Sequence, residues 1–443
     1  MASVAVSDFG CRGLILCREF EGLQLRSRVS RITCRSVSHS FRCQSGFTAL
    51  QSSTHQEKLE AALDVVQRAC QLCTSVRSSM KGREGQLDKK DNTPVTVADF
   101  GVQALVSLEL GRLFPGIPLV GEENASVLRG EYEEKLAAGG REKALVEAIV
   151  DVLSPLFSPD VGDLDCETVL DAIDRGAMTV STGNPNQPSQ SAYWVLDPID
   201  GTRGFLRGGN ALYVVGLALV VDGRPVLGVM GCPNVAIHYS ADRSVIQMAS
   251  LYYESEDSKA NATYQRGLIM AASLGGGCWV KPLNEDFPSS GVMVKSRVDK
   301  PASVSDSWFC ISDNEVWSTS PLAHALASSS VGKHLKIGEM QLLPLCCGSL
   351  CKYFAVALGG ASAFLLQAGR TTPLKVWDHA SGVICVSEAG GQVSDLEGTA
   401  LEYLVGNGKD DFTVEGGGIF ASNKSLHDLL LMDIRNQTAA VGQ

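Results

Sequence analysis

The chain has 443 residues, of which 44% are hydrophobic and 20% are charged, and its formal net charge is −11. These values predict a folded protein with a large core in one or two domains. The negative charge argues against a nucleic-acid partner, since neutralising a phosphate backbone needs clustered Lys and Arg. The longest apolar stretch, residues 211–221, is too short to cross a bilayer, so we expect no membrane partner either.

Residues 1–54 differ in composition from the rest of the chain. They contain seven Arg, no Lys and only three acidic residues, Asp8, Glu19 and Glu21. A segment rich in Arg and Ser, poor in acids and without a long apolar run is typical of an organelle transit peptide. We therefore predict a disordered transit peptide and a location in the mitochondrion or chloroplast, with the mitochondrion favoured. A tail without a targeting role stays the alternative.

Apolar residues at helical spacing predict a first helix over 55–80 and a second from just after Thr96 to Leu113. A short strand at 117–120 then leads to Gly121-Glu122-Glu123. Further on, we expect helices around 141–152 and 167–175 and a buried strand over 193–196 that stops at Asp197. A hairpin of 212–221 and 225–231 follows, with its turn at Asp222-Gly223.

The second half of the chain predicts a layered α/β arrangement. A polar stretch over 284–306 indicates a domain boundary. Beyond it, strands near 307–312, 337–343 and 361–367 alternate with helices near 320–331, 349–358 and 379–389. We thus predict a transit peptide over 1–54, an N-terminal α+β metal-binding subdomain over 55–295 and a C-terminal α/β subdomain over 296–440.

Four short segments place carboxylates at strand ends or helix starts, from which side chains converge on a shared cleft. The acids are Asp99, Glu122, Asp197 with Asp200, and Asp378. A lone Asp at such a position more often caps a helix. Four such segments together, however, favour a site for Mg²⁺, which prefers a few carboxylate oxygens and leaves positions for water and phosphate.

The segment Asp197-Pro198-Ile199-Asp200-Gly201-Thr202 is the most specific of the four. Its two acids flank a turn fixed by proline, so both can reach one metal cluster together with the Ile199 carbonyl. Gly201 and Thr202 then offer backbone N–H groups where a helix begins, which is a favourable place for a phosphate.

As a set, these segments resemble the lithium-sensitive, Mg²⁺-dependent phosphomonoesterase superfamily that includes inositol monophosphatase. Within it, the chain looks most like the 3′(2′),5′-bisphosphate nucleotidases, on the segments 204–208, 231–234 and 348–353 and on the long insert between Glu122 and Asp197. The resemblance covers about residues 55–430. It implies a layered α/β/α/β/α sandwich of two subdomains with the site between them.

The resemblance also implies a role for each matching residue. The implied metal ligands are Glu122, Asp197, the Ile199 carbonyl, Asp200 and Asp378. Asp99 and Thr202 match the pair that orients and deprotonates the attacking water. The implied substrate contacts are Gly201, Thr202, Ser349, Lys352 and Asp378. The implied reaction is the Mg²⁺-dependent hydrolysis of 3′-phosphoadenosine 5′-phosphate to AMP by a metal-activated water. We expect a small phosphorylated metabolite as the binding partner, and a monomer or homodimer as the oligomeric state.

Two positions depart from the nucleotidase pattern. The strand Phe364-Leu365-Leu366-Gln367 lacks an expected arginine, unless Arg370 takes its place, and Asn314-Glu315 stands where a histidine is expected. An inositol phosphate or another small phosphomonoester therefore stays open as the substrate, and so does a nucleotide sensor without catalysis. The spacing Asp-x-x-Asp-Gly-Thr argues against aspartyl-phosphate phosphatases, which use Asp-x-Asp-Gly-Thr.

Overall fold

The computed structural model describes most of the chain beyond residue 54. The described residues are 55–79, 86–88, 94–138, 145–157, 164–177, 192–209, 211–239, 246–248, 265–283, 293–301, 303–312, 323, 341–345, 348–401 and 411–441. The predicted transit peptide over 1–54 lies outside them, as does nearly all of the predicted helix over 320–331. None of the described helices is both long enough and apolar enough to span a membrane.

The first part of the described chain contains helices, the strands of one large sheet and, in its first two strands, a separate two-stranded sheet. Its elements are α1 (Gln56–Ser79), β1 (Gln86–Asp88), β2 (Pro94–Thr96), α2 (Val97–Leu113), β3 (Leu119–Gly121), α3 (Ser126–Ala138), α4 (Leu145–Leu153), α5 (Cys166–Gly176), β4 (Ala192–Asp200), α6 (Thr202–Arg207), β5 (Val214–Val221), β6 (Arg224–Tyr239), β7 (Ile246–Met248), β8 (Gln265–Ser273), β9 (Gly277–Pro282) and β10 (Val294–Lys295).

Among the described residues, the second part contributes a smaller sheet of five strands, a separate pair of strands and three further helices. Its elements are β11 (Trp308–Ser312), β12 (Gln341–Leu345), α7 (Ser349–Ala357), β13 (Ala363–Gln367), β14 (Leu374–Lys375), α8 (Ala380–Glu388), β15 (Gly391–Asp395), β16 (Asp411–Phe412), β17 (Gly418–Asn423) and α9 (Lys424–Val441).

The large sheet has the strand order β10-β9-β8-β6-β5-β4-β3, with β7 paired to β6. Its pairs are antiparallel except for β3 and β4, which run parallel because helices α3 to α5 connect them. The predicted hairpin is confirmed as β5 and β6. Its turn residues Asp222 and Gly223 both have positive φ, 50° and 74°, as a two-residue turn of this kind requires.

The smaller sheet has the strand order β12-β11-β13-β17-β15. Strand β11 pairs in parallel with both β12 and β13, whereas β17 pairs antiparallel with β13 and β15. The predicted domain division at residues 295 and 296 falls between β10 of the large sheet and β11 of the small one. The division into independent subdomains itself stays a prediction.

Alternate residues of β4 enter different cores, and this alternation defines the layers. Trp194 and Leu196 pack with helices α1, α2, α4 and α5 in one core. Tyr193 and Val195 face a second core that contains α7, α8 and one face of the small sheet. The other face of the small sheet packs on α9. The order helices, sheet, helices, sheet, helix confirms the predicted α/β/α/β/α sandwich.

Most predicted elements are present, with shifted ends. Strand β3 lies two residues later than its predicted start at 117, and β4 continues to Asp200 instead of stopping before Asp197. Helix α3 and strands β8 and β9 were not predicted. These elements pack partly on residues that are distant in the chain. The local spacing of apolar residues was therefore not regular enough to predict them.

Candidate active site

The end of β4 brings two aspartates of the Asp197–Thr202 segment to one place. Asp197 pairs with Gly216 of β5 and Asp200 pairs with Val214, so three steps along β4 match two steps along β5. The extra residue forms a bulge next to Pro198, which lacks an N–H for the ladder. In a regular strand, residues three apart would point to opposite faces. The bulge removes that alternation.

Asp378 completes a cluster of three acids. One carboxylate oxygen each from Asp197, Asp200 and Asp378 lies within 4.8 Å of the other two. Asp378 precedes α8, and the neighbouring His379 is buried and shares a hydrogen bond of 3.1 Å between its Nδ1 and the Tyr353 hydroxyl. Burial lowers the pKa of His379 to about 3, so the ring is neutral at physiological pH. The segment that carries Asp378 is therefore anchored in the core.

The cluster concentrates negative charge in a buried place. The pKa of Asp197 is raised well above its ordinary value, first by burial and then by the charges of Glu122, Asp200, Asp378 and Asp99. The predicted acids therefore share one electrostatic neighbourhood. Among the described residues, Asp197 Oδ1 is buried and has no hydrogen-bond donor. A set of hard oxygen donors with an unsatisfied buried oxygen fits a small divalent cation such as Mg²⁺.

Asp200 is also bonded to the start of α7. Its Oδ1 accepts from the Ser349 amide and its Oδ2 from the Cys351 amide, both at 2.9 Å. Burial raises the pKa of Asp200 to about 6, although these hydrogen bonds and the charge of Lys352 act in the opposite direction. Gly348, with φ of 81°, allows this approach, because a Cβ there would lie 2.6 Å from Asp200 Cγ. The carboxylate thus joins β4 to α7.

Thr202 and Asp99 lie at the starts of two helices. Thr202 is the first residue of α6, after Gly201 in the left-handed region at φ of 87°. The Thr202 hydroxyl donates to the Ile199 carbonyl at 3.1 Å. Asp99 is buried in the first turn of α2, and its charge acts on Asp197. Both predicted water-orienting residues therefore belong to elements next to the acid cluster.

Two side chains considered as nucleotide contacts, Lys352 and Arg370, bond to other groups of the protein. Lys352 is only 7% exposed, and its Nζ donates to the Gly348 carbonyl at 3.0 Å. The Arg370 guanidinium contacts Glu397 Oε1 at 2.9 Å and the Glu415 carbonyl at 2.6 Å. The positions where a histidine was expected, Asn314-Glu315, lie outside the described residues.

Two further residues at the site were not predicted from the sequence. Gly348 permits the contact between Asp200 and α7, and buried Gln103 bonds the backbone of Glu123, the residue after Glu122. A polar Gln103 within the apolar run of α2 was a possible signal, because a buried amide needs partners. Nothing in the sequence indicated which partners these are.

Residues 54–439 match the sequence model of the inositol monophosphatase family. The chain belongs to the inositol monophosphatase family. A protein of Arabidopsis thaliana named "Putative 3'(2'),5'-bisphosphate nucleotidase, mitochondrial" is 43% identical over 387 residues, which cover 87% of this chain and 88% of that protein. A protein of Oryza sativa named 3'(2'),5'-bisphosphate nucleotidase is 34% identical over 384 residues, covering 86% and 94%.

The solved structures that resemble this chain share less of its sequence than these relatives do. The extragenic suppressor protein suhB from Bartonella henselae has 15% identity and a TM-score of 0.48, covering 85% of this chain and 98% of that one. The family assignment therefore depends on the sequence matches. They confirm the predicted recognition and the predicted class of enzyme, a phosphatase of the inositol monophosphatase family.

Proposed function

We propose that the protein is a Mg²⁺-dependent phosphomonoesterase that hydrolyses the 3′-phosphate of 3′-phosphoadenosine 5′-phosphate to give AMP and inorganic phosphate. The observation that carries the proposal is the buried cluster of Asp197, Asp200 and Asp378 in a chain of this family. The proposed substrate comes from the names of the relatives, which are 3′(2′),5′-bisphosphate nucleotidases. They match this chain over 87% and 86% of its length.

The metal would be held by Glu122, Asp197, the Ile199 carbonyl, Asp200 and Asp378. Buried like charges raise one another's pKa and destabilise the fold unless a cation neutralises them, as the raised pKa of Asp197 indicates. Once bound, Mg²⁺ would supply positive charge that lowers the pKa of water and neutralises phosphate.

Asp99 and Thr202 suit the orientation of an attacking water. The Thr202 hydroxyl already donates its proton to the Ile199 carbonyl, so its oxygen is left to accept a hydrogen bond. The Asp99 carboxylate is a second acceptor and can take the proton that water loses. Two acceptors that bind both hydrogens of a water direct its remaining lone pair toward phosphorus, which favours in-line attack.

Amides at the starts of α6 and α7 suit the anionic substrate. Gly201 and Thr202 lie where a helix leaves N–H groups outside its own hydrogen-bond ladder, which we propose contact the transferred phosphate. Ser349 lies at the first position of α7 and would contact the nucleotide. Lys352 would contribute mainly its positive charge, since its Nζ already donates a hydrogen bond to the Gly348 carbonyl.

The test is phosphate release by the full chain with Mg²⁺, from 3′-phosphoadenosine 5′-phosphate and, separately, from inositol monophosphates. We expect a clear preference for the nucleotide in kcat/KM. Preference for inositol phosphates would replace the proposed substrate and leave the metal chemistry in place.

A matched pair of variants separates catalysis from binding. Asp197→Asn removes one cluster carboxylate with almost no change in shape, while Asp222→Asn makes the same change at the exposed β5–β6 turn. We expect only Asp197→Asn to abolish release. If the wild type binds the nucleotide and Mg²⁺ but never releases phosphate, the protein is a sensor and not an enzyme.

We also propose a location inside an organelle, with the mitochondrion as the first candidate. The supporting observations are the Arg-rich, acid-poor composition of residues 1–54 and the word mitochondrial in the name of the Arabidopsis relative. A fluorescent protein fused after residue 54 should enter mitochondria in plant cells. Accumulation in chloroplasts would change the organelle, and a cytosolic signal would contradict the transit peptide.

A further inference from the structure

Gln103 is a fully buried amide in the middle of α2. Its Nε2 donates to the Glu123 carbonyl at 2.5 Å and to the Ile173 carbonyl at 2.8 Å. Its Oε1 accepts from the Glu123 amide at 2.9 Å. The side chain therefore binds both backbone polar groups of Glu123, as a neighbouring strand would, and both of its amide hydrogens have acceptors.

The surroundings of Gln103 leave it little room to move. A Cβ on Gly121 would lie 2.5 Å from Gln103 Oε1, and a Cβ on Gly176 would lie 2.7 Å from Nε2. Two residues after Glu123, the Ala125 amide donates a hydrogen bond to Asp174 Oδ1 of α5 at 2.8 Å. Residues 121–125 are thus fixed at two points, by α2 and by α5.

The fixed segment carries Glu122. Gly121 pairs with Leu196 in the parallel ladder, so the next residues of the two strands are Glu122 and Asp197. The hydrogen bonds of Gln103 therefore fix the backbone of Glu123, the residue immediately after Glu122.

We propose that Gln103 is a positioning residue that sets the place of Glu122 in the acid cluster and thereby the affinity of the site for a divalent cation. The inference rests on the proposed metal-dependent function. Groups that orient metal ligands typically change metal affinity by about 10- to 100-fold when removed. Gln103→Leu keeps the side-chain size and removes all three hydrogen bonds, so Glu122 loses its fixed backbone.

The experiment measures Mn²⁺ binding to the full chain by calorimetry without substrate, and the Mg²⁺ concentration that half-saturates phosphate release. For Gln103→Leu we expect both constants to weaken by about tenfold or more, with kcat largely restored at saturating Mg²⁺. The matched control is Arg68→Met. Arg68 lies on α1 and contacts Glu109 of α2 at 3.1 Å, the Leu156 carbonyl at 3.3 Å and Asp64 at 2.9 Å. The change removes these contacts to α2 and its surroundings but leaves the bonds between Gln103 and Glu123 intact.

The outcomes are distinguishable. A folded Gln103→Leu protein that binds Mn²⁺ like the wild type, or an Arg68→Met protein that loses as much affinity, refutes the positioning role alone. If Gln103→Leu does not fold, Gly176→Ala serves instead, because it crowds the Gln103 amide from the side opposite Gly121, and we expect the same weakening. A wild type that neither binds Mn²⁺ nor releases phosphate refutes the proposed function, and the role of Gln103 with it.

Discussion

The contact between Asp200 and α7 makes Gly348 sensitive to a single methyl group. In Gly348→Ala the new Cβ would overlap the Asp200 carboxylate, since it would lie 2.6 Å from Cγ. Two backbone hydrogen bonds to a charged group would be lost, each worth about 1.5–3 kcal/mol. Gly348 has φ of 81° and ψ of 135°, a combination that only Gly readily adopts, so Ala there adds about 1–3 kcal/mol of backbone strain. We expect the free energy of unfolding to fall by at least about 4 kcal/mol.

Gly390→Ala is the matched control for this prediction. Gly390 has a similar φ of 88°, but no atom lies within 4 Å of the position its Cβ would take. It should therefore lose only the strain energy, about 1–2 kcal/mol. Urea unfolding with Mg²⁺ absent compares the two variants, and phosphate release should fall only in Gly348→Ala. Equal losses of stability, with activity kept in both, would refute the proposed importance of the Asp200–α7 contact.

Two further changes test other parts of the structure. His427 is buried between the Ser394 and Ser422 hydroxyls, and burial lowers its pKa from 6.5 to about 4, so the native state binds fewer protons than the unfolded state in that range. The free energy of unfolding should therefore fall by about 2–3 kcal/mol as the pH drops from 6.5 to 4. In His427→Gln, urea unfolding measured across this pH range should lack that decrease. A variant with the same pH dependence as the wild type would contradict the role of His427. Asp197→Asn should raise the free energy of unfolding in EDTA by about 1–3 kcal/mol by removing a buried like charge. The same variant should lose the thermal stabilisation that Mg²⁺ gives the wild type, and a destabilised variant would contradict the charge argument.

The acids of the predicted site lie in short segments of the sequence, and the structure brings Asp197, Asp200 and Asp378 together. Asp197 and Asp200 sit three residues apart around a proline, and the resemblance assigned both to one metal. The pattern did not predict that β4 continues to Asp200 through a bulge, because the bulge depends on pairing with Val214 and Gly216 of β5. Strand ends are decided by the neighbouring strand, which a local pattern does not contain.

Contacts between distant segments explain what the sequence could not indicate. The bonds from Ser349 and Cys351 to Asp200 span about 150 residues of sequence, and those of Gln103 join α2 to two later segments. The family resemblance implied Lys352 as a substrate contact, but its burial and its bond to Gly348 depend on the packing of α7. Residue type and spacing can predict which groups belong to a site, whereas their partners are set by the fold.

The central claim is that the cluster around Asp197 supports metal-dependent phosphate hydrolysis. The most direct test is phosphate release from 3′-phosphoadenosine 5′-phosphate by the full chain, measured with Mg²⁺, after EDTA, and after Mg²⁺ is returned in excess. We predict release of one phosphate per AMP formed, loss of release in EDTA and recovery on return of Mg²⁺. Release that persists in EDTA, or that Asp197→Asn leaves intact, would contradict the claim.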